Sequence, residues 1–162
     1  MTEVPSLMDT FFQGWQNHQS LLIAALQPLS SQQLALRAAP ESRTIAQITT
    51  HIVSGRAKWF LHLLKEGGDE FAALSHWERS DALQHSAADL IQGLETTWHG
   101  MQSAWTGWSS MDWQQTYTEG HPYAPTLITR QWVIWHLLEH DLHHGGEISL
   151  TLGMHGIAGL VV

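Results

Sequence analysis

Histidine is the residue type whose spacing in this sequence most clearly suggests chemistry: 12 of 162 residues are His, and four of these fall between residues 136 and 144. Residues four apart on an α-helix differ in direction by only about 40°, so His136, His140 and His144 form a narrow ridge. Apolar residues surround His140 and His144 on the same side of the helix, namely Val133, Leu137 and Ile148. Two neutral imidazoles one turn apart on an inward face can bind one metal ion.

A third ligand is expected from another helix, because two protein ligands hold a metal ion only weakly. His51 is the best candidate, since it lies within a helical segment beside the apolar residues Ile48 and Ile52. Three neutral histidines leave coordination positions for water or substrate, whereas structural zinc sites usually have four protein ligands. The alternative is a set of hydrogen-bonded core histidines that binds no metal.

Acidic residues near the ridge could assist such a site. Glu147 follows His140 by seven residues and His144 by three, so it shares their face and could orient a ligand or act as a general base on metal-bound water. A solvated carboxylate in the last turn is the alternative interpretation. Asp141 is the other nearby acid. His143 precedes Glu147 by four residues, which favours a pair on the helix surface.

The remaining histidines have less informative positions. His136 could be a partner of a ligating histidine or an alternative ligand, and ranks below His140 and His144. The others show no helpful spacing and are predicted to lie mostly on the surface or in loops; they are His18, His62, His76, His85, His99, His121 and His155.

Two of four predicted helices carry the three candidate ligands. The second segment begins at Thr44, where Gln47 completes a capping box, and it ends at Gly67-Gly68. Gly55 within it is small enough to let a neighbouring helix approach. The fourth segment begins near Thr126 or Thr129 and runs to Leu152, where Gly153 is predicted to stop it.

The other two helices complete the predicted bundle. The first runs from about Ser6 to Leu26, and the third follows Ser80 or Asp81 and continues through Trp105. The stretch Ser109–Pro125 is expected to be a long connection, with a brief extended piece at 113–117. Four helices of roughly 20 residues predict an all-α, four-helix bundle. We expect residues 1–162 to form a single domain.

Composition excludes several classes of function. Seven basic residues against 15 acidic ones give a formal charge of −8, which argues against nucleic acid and anionic membranes as partners. The partner that we expect is a small-molecule substrate. The absence of cysteine excludes disulfides, thiolate zinc sites and a cysteine nucleophile. No apolar run approaches the roughly 20 residues that span a bilayer, and no signal segment is evident, so a cytoplasmic location is expected. The apolar tail 157–162 is expected to dock on the body or on a second subunit.

Two stretches of the sequence resemble the DinB/YfiT-like family. They are TIAQITTH, residues 44–51, with Trp59 eight residues later, and TRQWVIWHLLEHDLHHGGEI, residues 129–148. The resemblance implies an up-down-down-up bundle, a homodimer, and a metal triad of one histidine from the second helix and two from the last, which corresponds to His51, His140 and His144. Many relatives carry His-Arg-Gly after the last ligand, whereas this sequence has Gly at 145.

The resemblance also implies a function. Characterised relatives include metal-dependent transferases and isomerases that use low-molecular-weight thiols such as bacillithiol or mycothiol. We therefore expect an enzyme that binds a divalent ion, Zn²⁺ or alternatively Ni²⁺, and uses a thiol. A metal-assisted hydrolase with Glu147 as base and a non-catalytic bundle are the two alternatives.

Overall fold

A computed structural model describes residues 6–79, 85–118 and 127–160. Within these ranges the chain is mostly helical and has only two short strands, which confirms the all-α class. The elements are α1 (Leu7–Leu26), α2 (Ser31–Leu34), α3 (Ile45–Lys58) with a π-helical extension (Trp59–Leu64), α4 (Gly68–Leu74), a 3₁₀ turn (Trp77–Arg79), α5 (Ala87–Thr106), α6 (Ser110–Trp113), β1 (Thr116–Tyr117), β2 (Ile128–Thr129) and α7 (Arg130–Met154). The two short strands pair antiparallel.

The four long helices α1, α3, α5 and α7 form a bundle in which α1 and α3 each pack against both α5 and α7. Pairs of contacting residues give their relative directions. Helices α1 and α5 are antiparallel, as the pairs Phe12–Trp105 and Trp15–Trp98 show, and so are α3 and α7, from His51–His144 and Trp59–Trp132. Helices α1 and α7 are parallel, from Trp15–Asp141 and His18–Gly145. Helices α3 and α5 are also parallel, from Val53–Gly93 and Arg56–Thr97. The topology is therefore up-down-down-up, as the resemblance implied.

Side-chain caps determine where the long helices begin. Thr44 accepts a hydrogen bond from the amide of Gln47, whose side chain in turn accepts from the amide of Thr44, so the predicted capping box is present. Thr129, which was one of the two predicted starts of the fourth helix, caps α7. The predicted start of α5 was wrong, because Ser86 forms the cap and the helix begins at Ala87. The expected caps at Ser80 and Asp81, like Thr126, lie outside the described residues.

The end of α7 also differs from the prediction. The helix continues through Gly153 to Met154, and the chain turns at Gly156, whose φ of +70° is readily adopted only by glycine. Gly153 is thus an ordinary residue of the last turn, and the stop signal lies three residues later.

Each of the three connections between the predicted helices contains a short helix of its own, and α2 is the one in the first connection. After Lys65 ends the π-helical extension in the left-handed conformation, Gly67-Gly68 introduces α4. Phe71 of α4 is buried against Phe60. The long connection after α5 contains α6 as well as β1, so only 116–117 of the predicted extended piece is extended.

The apolar tail packs partly on the body, since Ile157 and Leu160 contact the hydrophobic core. Its last two residues are outside the described part of the chain. Among the described helices, none combines the length and apolar character that crossing a membrane requires.

Candidate metal centre

The structure brings His51, His140 and His144 together between α3 and α7. One ring nitrogen from each lies within 4.8 Å of the others, and Nε2 of His51 is 3.1 Å from Nε2 of His140. The ring centroid of His144 lies 4.4 Å from that of His140 and 4.8 Å from that of His51. His144 is buried and the other two are half-buried. The juxtaposition predicted from spacing and apolar faces is therefore observed.

Gly55 allows α7 to approach α3 at this point. A Cβ atom added to Gly55 would lie only 3.2 Å from Cε1 of His140, closer than most such contacts in proteins. The antiparallel packing of the two helices then aligns His51 with the turn of α7 that contains His140 and His144.

Carboxylates bind the far nitrogen of two of the imidazoles. Nδ1 of His144 lies 2.6 Å from Oε2 of Glu147, and Nδ1 of His51 contacts Oε1 of Glu78. A neutral imidazole that donates from Nδ1 has its lone pair on Nε2, so these contacts orient Nε2 for ligation. Glu78 also pairs with Lys58. Sequence reasoning missed Glu78, because it lies 27 residues after His51 and beyond a helix that the sequence did not predict.

The third imidazole faces a buried ion pair. Nδ1 of His140 is buried without a hydrogen bond to any described residue and lies 4.0 Å from Oδ1 of Asp141. Asp141 is fully buried and accepts from Nη2 of Arg56 at 2.6 Å and from Nε1 of Trp15 at 2.6 Å. Asp141 was noted in the sequence only as a nearby acid, and nothing in the spacing indicated its partners on α1 and α3.

The electrostatics keep His51 and His144 neutral near pH 7. Burial, followed by the neighbouring histidine charges, lowers the pKa of His144 to about 4 despite the opposing effect of Glu147. Burial likewise lowers the pKa of His51, against the effect of Glu78. Burial, the largest single effect, would raise the pKa of Asp141, but the Arg56 charge and the hydrogen bonds to the carboxylate together outweigh it and hold that pKa below its usual value. Neutral imidazoles with free lone pairs are the form that binds metal.

The cluster fits a divalent metal ion on its donor chemistry. Two nitrogens bound at about 2.0–2.1 Å to one tetrahedral zinc lie about 3.3 Å apart, close to the 3.1 Å between Nε2 of His51 and Nε2 of His140. Two neutral imidazoles oriented by carboxylates are typical of metal ligands. A second group with ligating atoms at similar separations combines His143, His144 and Glu147, but two of its members are exposed.

The other predicted residues occupy different surroundings. His136 lies outside the cluster and packs between Trp59 and Trp132, with its ring centroid 5.0 Å from each. His143 is exposed, and its Nε2 lies 3.7 Å from Oε1 of Glu147, as the predicted surface pair requires.

Most of the remaining histidines are on the surface, as predicted. His62, His76, His99 and His155 are exposed, and His85 stacks on Trp77. His18 is half-buried, and its Nε2 contacts the Asp141 carbonyl at 3.0 Å. His121 lies outside the described residues. The ring of His18 also explains glycine at 145, because a Cβ there would lie 2.5 Å from Cε1 of His18.

A cleft of about 300 Å³ adjoins the cluster at Glu147. Its walls come from the loop before α3, from α3 and from α7. The residues that line it, besides Glu147, are Ala38, Ser42, Arg43, Ile48, Leu150 and Thr151.

A bundle of this topology with a histidine cluster between its second and fourth long helices defines the class of protein, and comparison with known proteins defines the family. The sequence model of the DinB superfamily matches residues 15–148. The chain therefore belongs to the DinB superfamily. A crystal structure of a DinB-like protein from Bacillus cereus ATCC 10987 is similar over 94% of this chain and 95% of that one, with a TM-score of 0.71 and 17% identity. No curated protein matches the sequence.

Proposed function

We propose that this protein is a metal-dependent enzyme whose divalent ion is held by His51, His140 and His144. The observation that carries the proposal is the convergence of three imidazole nitrogens within 4.8 Å. A set of three neutral histidines leaves positions open for a substrate, as in catalytic sites. Zn²⁺ suits this ligand set best, and Ni²⁺ is the alternative because imidazole also binds it well.

The reaction that we propose is the transfer of a low-molecular-weight thiol to an electrophilic small molecule. A bound divalent cation supplies thiolate, the nucleophilic form, by lowering the pKa of the thiol. In the transfer a sulfur–carbon bond forms, the bond from that carbon to its leaving group breaks, and the thiol proton passes to solvent. The resemblance to thiol-using relatives supports this chemistry. The polar side chains of the site are compatible with a charged thiolate.

The position of Glu147 favours thiol transfer over hydrolysis. A hydrolase would need a carboxylate free to take a proton from water. Oε2 of Glu147 is held 2.6 Å from Nδ1 of His144, and its other oxygen faces His143. We therefore assign Glu147 a positioning role: it orients His144 and selects the tautomer that presents Nε2.

Binding of a thiol to the Co²⁺-loaded protein tests the proposal, because thiolate ligation of cobalt produces an intense near-ultraviolet absorption band. We expect 2-mercaptoethanol to produce this band in the wild-type protein and in His143→Ala, but not in His140→Ala. A Co²⁺-loaded protein that gives no thiol-dependent band would contradict the thiol chemistry. Cleavage of an ester without thiol would then indicate the hydrolase, and a metal effect on Tm alone would indicate a non-catalytic bundle.

A further inference from the structure

The cleft at Glu147 is lined by an exposed arginine that has no ion-pair or hydrogen-bond partner among the described residues. Arg43 is the only basic residue among the described residues that line it. Its guanidinium forms no hydrogen bond or ion pair with any residue in the ranges that the structure describes. By contrast, the nearby Arg37 donates from Nη1 to the carbonyl of Pro40. A guanidinium presents a planar array of donors that matches a carboxylate, so Arg43 is available to a ligand.

The cleft extends from Arg43 to both helices that carry the histidines. It reaches Ile48 on α3, three residues before His51, and Glu147 on α7. Oε2 of Glu147 lies 2.6 Å from Nδ1 of His144, so the cleft runs from Arg43 to the carboxylate that holds one of the three imidazoles.

The local charges indicate the sign of such a ligand. Lys58 pairs with Glu78 and Arg56 pairs with Asp141, whereas Arg43 has no paired carboxylate among the described residues. Arg43 and a divalent ion on the three histidines would therefore both attract negative charge. A ligand with one carboxylate and one thiolate would supply that charge at both positions.

Apolar side chains line the middle of the cleft. Ile48 is buried, and Leu150 of α7 is 61% exposed and borders the same space. Such walls suit a short hydrocarbon segment between two polar ends.

We propose that Arg43 binds the carboxylate of a small thiol whose sulfur reaches the ion held by His51, His140 and His144. This inference rests on the proposed function and specifies the chemical class of its thiol as a mercaptocarboxylate. A single guanidinium accommodates a single carboxylate, so the ligand class is a monoanionic carboxylate and not a polyanion.

Matched ligand pairs on Co²⁺-loaded protein test the inference by binding alone. The pairs are 3-mercaptopropionate with 3-mercapto-1-propanol and 4-mercaptobutyrate with 4-mercapto-1-butanol, titrated by the cobalt absorption band. We expect at least one carboxylate to bind about five- to ten-fold more tightly than its alcohol, the range of a charge-assisted hydrogen bond in a partly exposed cleft. In Arg43→Gln this ratio should fall to about one, and Arg43→Lys should retain part of it.

Arg37→Gln is the matched control, because it removes the same charge from the same loop at a side chain outside the cleft. It should keep the full carboxylate preference. Equal binding of acid and alcohol by the wild-type protein, or a preference that survives in Arg43→Gln, would overturn the inference and leave the metal site intact. Failure of the wild-type protein to bind Co²⁺ would instead overturn the proposed function, and the inference with it.

Discussion

Glu78 and Glu147 determine which ring nitrogen His51 and His144 turn toward the cluster. Each carboxylate accepts from Nδ1, so each imidazole has its lone pair on Nε2. Glu78 and Glu147 can therefore change the affinity of the site for a metal ion without ligating that ion. Their effect is to keep two of the three ligands in the tautomer and orientation that binding requires.

Removing Glu147 should weaken metal binding without unfolding the protein. Its carboxylate is partly exposed, so Glu147→Ala should fold normally and raise the Kd for Zn²⁺ by about 10- to 100-fold. Glu147→Gln keeps an acceptor for Nδ1 and should have a smaller effect. Competition with a zinc-binding dye measures both, and Glu139→Ala is the control, because Glu139 is exposed on the same helix and faces His136 at 3.7 Å. An unchanged Kd in Glu147→Ala would contradict the orienting role.

The pair of Arg56 with Asp141 should be essential to stability. Both side chains are fully buried, so Asp141→Asn would leave the Arg56 charge without its partner and reduce the free energy of unfolding by about 3–5 kcal/mol. Urea unfolding measures this change. The double variant Arg56→Met/Asp141→Leu, which removes both charges, should lose less than Asp141→Asn alone. A loss below about 1 kcal/mol in Asp141→Asn would show that the buried charge is compensated in another way.

The sequence predicts the site residues only where local periodicity applies. His140 and His144 were predictable because they share a helix face with apolar neighbours, and His51 because it lies on an apolar stripe. Glu78 and the partners of Asp141 were not, since contacts between residues far apart in sequence depend on how the elements pack. The role of Arg43 is of the same kind, because the cleft forms only when its loop meets α7.

Helix α7 approaches α3 closely at Gly55, where the ring of His140 lies near the space that a side chain would need. This contact determines how the two ligands of α7 meet the single ligand of α3. A helix interior ordinarily disfavours glycine by about 1 kcal/mol relative to alanine, so glycine here reflects a packing requirement.

Gly55→Ala should therefore lower the metal affinity without a matching loss of helix stability. The added Cβ would lie 3.2 Å from Cε1 of His140 and push the ring aside, so Zn²⁺ affinity should fall several-fold while the helix gains propensity. Gly146→Ala is the matched control: this glycine lies in α7 with nothing within 4 Å of the added Cβ. It should stabilise the protein by about 0.5–1 kcal/mol and leave affinity unchanged. If the two variants bind Zn²⁺ equally well, the close approach at Gly55 does not determine the site.

At the level of elements, the sequence predicted the four long helices but not all of their ends. Thr44 was recognisable as a cap because its capping-box partner, Gln47, lies three residues later, and Ser6 and Thr129 were among the predicted helix starts. The α5 start and the α7 end were missed because more than one residue carried a suitable signal. Ser86 is the cap because it forms a capping box with Asp89, and Gly156 is the turn residue because it adopts a positive φ. Helix α4 was missed because Gly67-Gly68, which begins it, is also typical of a helix end.

The whole molecule should lose stability on acidification in the absence of metal. Burial lowers the pKa of His18, His51 and His144, with that of His144 at about 4, whereas unfolded histidine titrates near 6.5. Between these values the unfolded chain binds more protons than the folded one, so the free energy of unfolding falls as the pH is lowered through the window. The lowered pKa of Asp141 acts in the same direction, but below about pH 4.

Urea unfolding of metal-free protein at several values between pH 7 and pH 5 measures this dependence. His144→Gln, which has no titratable side chain at this position, should show a shallower dependence than the wild-type protein. His99→Gln, a change at an exposed histidine, should keep the wild-type slope. A stability that is constant or increases on acidification over this range would contradict the burial of neutral imidazoles.

The most direct test of the metal centre is the metal content of untagged protein purified without chelator or nickel resin. Elemental analysis should find about one equivalent of Zn²⁺ or Ni²⁺ per chain. That metal should be lost in His140→Ala and retained in His143→Ala, which changes the neighbouring exposed histidine. A metal-free protein that also fails to bind added Zn²⁺ and Ni²⁺ would contradict the account and leave the three residues as hydrogen-bonded core histidines.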